Sequence, residues 1–443
     1  MLPAIRTEFI RLAPMASTPA TRSALEPLRA LRYNPEFVEL GEVVAPPYDI
    51  ISAADREAYQ RRSPHSIVHL LLPEAAGQAG RLLQDWRREG ALLRDTEPSI
   101  WWHTQTYLAP DGGEGERSGF LAAIRLAPYD EGRIRPHERT HAGTRAGRLE
   151  LIRAVKANLS PVFGLYDDPE GGPREALLPH VSGPPAMETT DGDGTVHRFW
   201  QVTDAGAIAA VQEAMAERTI VIADGHHRYE TALAYRDEVR ARDGDSLVDR
   251  PSDFVLMHLV NMHGEGLVVY PTHRVVPGKR DVTPDLLSHF AVRELEATPL
   301  DVERELNAIP PDTIAFAVWH GAGRPALLCT LRDRAAISMA MPGIPAAVKK
   351  VDAAVLEAAI LQPMLGLLDA EQFAASNAVQ YVRELGAATA PVERGEAAAA
   401  FILRAPTVEQ VRAVAGSGAV MPQKSTYFFP KLWSGFLVNP LED

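Results

Sequence analysis

Cysteine is almost missing from this sequence. Cys329 is the single one among 443 residues, which leaves no partner for an internal disulfide and no thiolate cage for a metal. An oxidising compartment is not required, and a cytoplasmic setting is the expectation. Long apolar runs are missing too. The first fifteen residues mix Arg6, Glu8 and Arg11 with apolar neighbours, unlike a signal peptide or a membrane span, so neither export nor a membrane partner is expected. Positive charge is in deficit: 45 Lys and Arg against 58 Asp and Glu give a net charge of −13. That balance repels a phosphate backbone, and nucleic acid is not expected as a partner. What the chain does have is capacity for burial, with 46% apolar and 23% charged residues, enough for two or three folded domains.

A Ser/Thr/Pro/Ala-rich stretch at 14–23 reads as a flexible lead-in, and the ordered fold is expected to begin near Leu28. Helical spacing surrounds Leu82, Leu83 and Trp86, whereas 99–107 and 118–126 carry the aromatic and apolar residues of strands. Leu149, Ile152 and Val155 recur every three residues, predicting a helix over 148–159 that Ser160-Pro161 stops. Thr219 to Ala223 predicts a strand, Asp224-Gly225 a turn, and 228–240 a helix. Gly321, Gly323 and Pro325 separate two strands at 313–319 and 326–331. Val355 to Leu368 reads as a helix interrupted by Pro363, and Ala397 to Leu403 as a strand. Thr407 is the expected N-cap of a last helix, with Gln410 three residues on. The fold class is mixed α/β.

The sharpest local signal is Asp224-Gly225-His226-His227-Arg228, placed between a strand and the first turn of a helix. Free amides there carry partial positive charge and can cradle a phosphate. Gly225 permits close approach, Arg228 supplies a fork of donors, and Asp224 could hold magnesium. The alternative is that Asp224 caps the helix while the histidines pack beneath it. A second signal is the run 133–148, which sets five arginines and two histidines against Glu138 alone. It is an anion site or a solvated helix face. Inside it, His137-Glu138-Arg139-Thr140-His141 matches the zinc pattern H-E-x-x-H, although Pro136 and Gly143 argue against the long helix that pattern needs. A third signal is Pro422-Gln423-Lys424-Ser425-Thr426-Tyr427, with Lys431 beyond it: a loop that closes over an anion, or an ordinary edge loop anchored by Tyr427, Phe428 and Phe429. Asp49, in Ala45-Pro46-Pro47-Tyr48-Asp49, is a site candidate or the cap of the next helix.

Together, Arg135-Pro136-His137-Glu138, the stretch 220–228, Gly395-Glu396 through Pro406-Thr407, and Lys424-Ser425-Thr426 resemble the ordered motifs of the archaeal free-serine kinases, members of the ParB/sulfiredoxin-like superfamily. Over its whole length the chain is similar to domain of unknown function 1015, through 45–52 and 421–431. The resemblance implies a lead-in at 1–27, an N-terminal α/β region at 28–130, a phosphate-binding ParB/sulfiredoxin-like core at 131–275, and a C-terminal α/β domain at 276–443 whose tail closes the site. It further implies a kinase that phosphorylates free L-serine to O-phosphoserine from ATP, ADP or pyrophosphate with Mg2+. Glu138, Asp224 and His227 would be catalytic, with Asp224 also the metal ligand. Gly225, His226, Arg228, His137 and Arg139 would hold the donor, and Lys424, Ser425 and Thr426 the substrate. Sulfiredoxin's catalytic cysteine falls where this chain has His226, so its redox chemistry is not implied. A non-catalytic nucleotide-binding switch and a zinc hydrolase using His137 and His141 stand as alternatives.

Overall fold

Alternation along single strands divides the interior into two main cores. In the strand Ile220–Asp224, Ile220 and Ile222 face one core with Val211, Met215 and Tyr229, while Val221 and Ala223 face another with Val276, Phe316 and Phe401. A strand apolar on both faces belongs inside a sheet covered on both sides. The computed structural model describes residues 23–109, 112–138, 145–244, 248–278, 282, 287–367, 372–373, 376 and 378–442, and it is mixed α/β as expected.

The larger sheet runs, edge to edge, 134–136, 220–224, 162–166, 254–261, 114–125, 100–108, 196–202, 187–190. Strands 134–136 and 220–224 are parallel, as are 162–166 and 254–261; the rest are antiparallel. A smaller antiparallel sheet, in the order 290–295, 326–331, 315–319, 397–402, 273–277, 380–382, forms the C-terminal part. The two strands expected at 313–319 and 326–331 are present as the antiparallel neighbours Ala315–Trp319 and Ala326–Leu331, and so is the Thr407/Gln410 capping box. Among the described residues no helix is long and apolar enough to cross a membrane.

Several boundaries differ from expectation. Leu25–Glu26 already pairs with Ile124 and Ala123, so order begins before Leu28; Leu25 is fully buried and its burial fixes it there. The border at 130 falls within one sheet, because the strands Ile100–Leu108 and Glu114–Arg125 lie between 254–261 and 196–202. The border at 275 cuts the strand His273–Pro277. The helix at 145–155 ends four residues early: Lys156 takes a left-handed φ of 50°, and Ala157–Asn158 pairs instead with Asn439–Pro440. That pairing is one of several by which the tail returns. Val268–Tyr270 pairs with Tyr427–Phe429, Ala45 exchanges backbone bonds with Ser434, and Leu31 does so with Val438. The tail carries 422–431 back onto the 220–228 turn.

Candidate active site

Ile220–Asp224 ends in Gly225, whose φ of 87° lets the chain reverse into the helix His226–Asp243. A Cβ here would lie 2.8 Å from the Arg228 guanidinium, so glycine serves both the turn and the approach of that side chain. Asp224 caps nothing, since the helix has no side-chain cap. Its Oδ2 lies 3.1 Å from Arg228 Nη2 and its Oδ1 3.5 Å from Lys431 Nζ. Burial alone would raise the Asp224 carboxyl; Lys431, Arg228, His226 and Lys424 outweigh it and hold it below the usual carboxylate range. Arg228 also donates to the Pro161 carbonyl.

Parallel to this strand, 134–136 delivers His137 and Glu138 beside the turn. Glu138 Oε2 accepts from the Lys424 amide at 3.0 Å, and Met421 N donates to His137 O at 2.7 Å, so the returning tail fixes the carboxylate. His226 is buried, and burial first, then His137, holds its imidazole well below the ordinary value. Its Nε2 accepts from His137 N at 3.4 Å, which leaves the proton of the neutral ring on Nδ1, 3.9 Å from Glu138 Oε1.

Glu138, Asp224, Gly225, His226, His227, Arg228 and Lys424 therefore wall one cavity of about 560 Å³, together with Tyr48, Asp49 and Gln423. Tyr48 and Asp49 come from the short helical turn Tyr48–Ile50, and Arg148 lies over the Tyr48 ring at 3.7 Å. Asp49 does not cap the next helix; Ser52 does. The extended Ala-Pro-Pro-Tyr-Asp stretch was the only signal that could have pointed to this wall.

Other assignments move. His137 is fully buried, with Nδ1 bonded to the Ile222 carbonyl and Nε2 to Thr426 Oγ1 at 2.6 Å. Both nitrogens are occupied, so it neither lines the cavity nor offers a lone pair to zinc. Arg139 and His141 lie outside the described residues. Ser425 Oγ donates to Pro422 O at 2.7 Å and is buried, while the Thr426 hydroxyl serves His137; neither faces the cavity. Arg135 is spent on the carbonyls of Gly132, Ala415 and Gly416, where it caps a helix end rather than an anion. Cys329 is buried in the C-terminal core, which pushes its thiol up to about 12. Magnesium is poorly provided for: each Asp224 oxygen faces a cation, and no cluster of three or more His, Cys, Asp or Glu suited to a metal occurs among the described residues. The donor set does not fit a protein-held metal.

The sequence profile of a family described as "Protein of unknown function (DUF1015)" matches residues 25–354. None of the curated proteins matches. Solved structures similar to the chain include a conserved hypothetical protein from Pyrococcus furiosus, 16% identical over 71% of this chain and 92% of that one, with a TM-score of 0.32. A free serine kinase in complex with AMP is 14% identical over 73% and 91%, at 0.35. C-terminally truncated SbnI from Staphylococcus aureus is 12% identical over 72% and 87%, at 0.34. Likenesses this remote bear on no residue's role.

Proposed function

The chain belongs to the DUF1015 family, and from its site we propose that this protein transfers a phosphoryl group from a nucleotide to the hydroxyl of a small molecule. The observation that carries this reading is the convergence of Glu138, the 224–228 turn and Lys424, from three distant parts of the chain, on one cavity. Phosphoryl transfer asks little covalent chemistry of a protein. It needs an in-line hydroxyl, a base beside it, and fixed positive charge around the moving group. Glu138 supplies the base. The amides at the start of the helix 226–243, with Arg228, Lys424 and Lys431, supply the positive field, His227 lines the cavity beside them, and Asp224 positions two of those cations.

In the step itself the acceptor oxygen forms a new bond to phosphorus as the bond to the nucleotide's leaving oxygen breaks. The hydroxyl proton passes to Glu138, and no step is routed through a metal. A nucleotide is favoured over pyrophosphate by an apolar cavity of about 530 Å³ that meets the site at Tyr48 and Arg228 and is walled by Leu151, Ile152, Val155 and Leu159. Pyrophosphate has nothing to place there. Free L-serine, giving O-phosphoserine, is the acceptor the motif resemblance implies. The test incubates the protein with serine and ATP, ADP or pyrophosphate, with and without magnesium, and reads phosphorylated product by mass. Product with a nucleotide supports the reading; nucleotide binding with neither transfer nor hydrolysis in any combination overturns it in favour of a non-catalytic switch.

A further inference from the structure

Three carboxylates line the phosphate cavity, and two of them are engaged. Asp224 faces Arg228 and Lys431, while Glu138 accepts from the Lys424 amide and faces His226 Nδ1. Asp49 is the third. It is exposed at the edge of the cavity, and among the described residues its carboxylate makes no hydrogen bond and no ion pair; the cap of the following helix is Ser52. Arg148 stands near enough to feel Asp49, yet its guanidinium is committed to the Leu71 carbonyl at 2.7 Å and to the Tyr48 ring. An acid beside a phosphate turn repels the phosphates it adjoins. What it contributes to binding is therefore drawn from another part of the ligand.

The apolar cavity and the phosphate cavity share two lining residues, Tyr48 and Arg228. A nucleotide that spans both, base in the first and phosphates in the second, places its ribose at this junction. Arg228 belongs to the phosphate turn, which leaves Tyr48 and its neighbour Asp49 for the sugar. Their segment is held in place: Ala45 exchanges backbone bonds with Ser434, Ile50 N donates to Pro47 O at 3.1 Å, and Arg148 covers a face of the Tyr48 ring. Other polar side chains around the apolar cavity are already used. Thr231 donates to the His227 carbonyl, Ser160 pairs with Ser434, and Asn158 Oδ1 accepts from Leu256 N and Asn439 Nδ2. A ribose presents two hydroxyl donors on adjacent carbons, and an ionised carboxylate has two oxygens that only accept; acids read the same sugar in dinucleotide-binding folds. We infer that Asp49 receives the ribose hydroxyls of the donor, so that the site selects nucleotides with an intact ribose diol. This rests on the nucleotide reading of the two cavities.

The experiment measures Kd by calorimetry on the full chain for ATP, ADP and their 2′,3′-dideoxy forms, with and without magnesium, in the unaltered protein and in Asp49→Ala and Asp49→Asn. The dideoxy forms are expected to bind at least about tenfold more weakly than the ribonucleotides, the worth of one hydrogen bond to a charged group. Asp49→Ala should erase that ratio. Relief of repulsion from the phosphates acts on both sugars alike and cancels from it. Asp49→Asn, which keeps one accepting oxygen without the charge, should retain part of it. Equal affinity for both sugars in the unaltered protein overturns the inference, and so does a ratio that survives Asp49→Ala. A loss in the variants that needs magnesium and is the same for both sugars overturns it in favour of a metal-bridged phosphate contact. Should no nucleotide bind, the phosphotransfer reading falls and this inference with it. Sugar discrimination with no transfer to any hydroxyl overturns the transfer reading and leaves Asp49 at the ribose.

Discussion

Two groups of three histidines lie inside this protein, and they differ in what their nitrogens face. Around the site, His137 is consumed by Ile222 and Thr426, His226 turns a proton toward Glu138, and His227 opens onto the cavity. Across the same sheet, His258, His103 and His197 are joined nitrogen to nitrogen at 3.2 and 3.1 Å, and His197 ends on Asp191 at 2.9 Å. The direction of that chain is fixed. Asp191 accepts from His197 Nε2, so His197 Nδ1 must accept from His103 Nε2, whose Nδ1 in turn accepts from His258 Nε2. The chain stops at His258 Nδ1, buried and with no hydrogen-bond partner among the described residues. Phe199 stacks on His103 at 4.0 Å and Phe436 packs on His197 at 4.7 Å. Beside them the fully buried Arg117, pushed down to about 9 by burial, holds the carbonyls of Phe429 and Pro430. This second cluster anchors the tail; the first is where cations converge on open space. Clustered histidines alone do not mark a site; charged groups converging on a cavity do.

The largest expected effect breaks the comparison at its active side. Glu138→Gln should lower kcat by about 10²–10⁴, the range for a positioned general base, and change stability by less than about 1 kcal/mol, because the amide oxygen can still accept from Lys424 N. Steady-state rates beside a denaturant melt check both. Full activity in this variant would remove Glu138 as the base.

The enclosed cluster should respond in the opposite sense. His103→Ala strips partners from His197 Nδ1 and His258 Nε2 and leaves a cavity, a loss of about 3–5 kcal/mol, while the folded fraction keeps its turnover. A variant that melts normally but is inactive would erase the distinction. Acid loads the same enclosed cluster without mutation, together with His226 and His273. Burial holds His103, His258 and His226 well below the usual imidazole value and His273 at about 4. The folded values are lowered, so the unfolded chain binds more protons below about pH 6.5. Stability is complete above that pH and falls as pH drops toward the folded values, by about 1.4 kcal/mol per pH unit for each histidine. Urea midpoints should be level from pH 7 to 8 and fall steeply from 6 to 5.

The strand, turn and helix at 220–228 were legible because the signal is local: β-branched residues, then Asp-Gly, then helix formers. The two strands at 315–319 and 326–331 and the Thr407 cap were readable for the same reason. What was hidden is nonlocal. Nothing near Glu138 reveals that an amide 286 positions later grips its carboxylate, or that Arg135 goes to the end of a helix at 415–416. His137, Ser425 and Thr426 sit in the right motifs, yet they are spent inside the protein, and only the register between the tail and strand 134–136 decides that. The strands at 100–125 were recognised, but sheet order cannot be read from spacing, so they were assigned to a separate region. His103, His197 and His258 form no motif at all; strand register alone makes them neighbours.

A smaller effect sharpens the role of the phosphate turn. Gly225→Ala meets both a positive φ and the Arg228 guanidinium 2.8 Å away, for about 1–2 kcal/mol of strain. Displacing Arg228 should weaken nucleotide binding roughly tenfold by calorimetry while leaving the chain His258–His103–His197 as it is. Undiminished affinity would mean that Arg228 does not reach the donor.

The smallest effect lies at the junction of the two clusters. Thr426→Val keeps the shape and removes the hydroxyl that His137 Nε2 accepts from, while Nδ1 keeps the Ile222 carbonyl. The loss should be near 1 kcal/mol, the usual worth of one hydrogen bond. Because Glu138 is the next residue, kcat should fall by no more than about threefold, and Thr426→Ser should restore both values. If Thr426 instead touched the acceptor, valine would raise KM with stability unchanged. That pattern would move Thr426 from the group that anchors the tail to the group that faces the cavity.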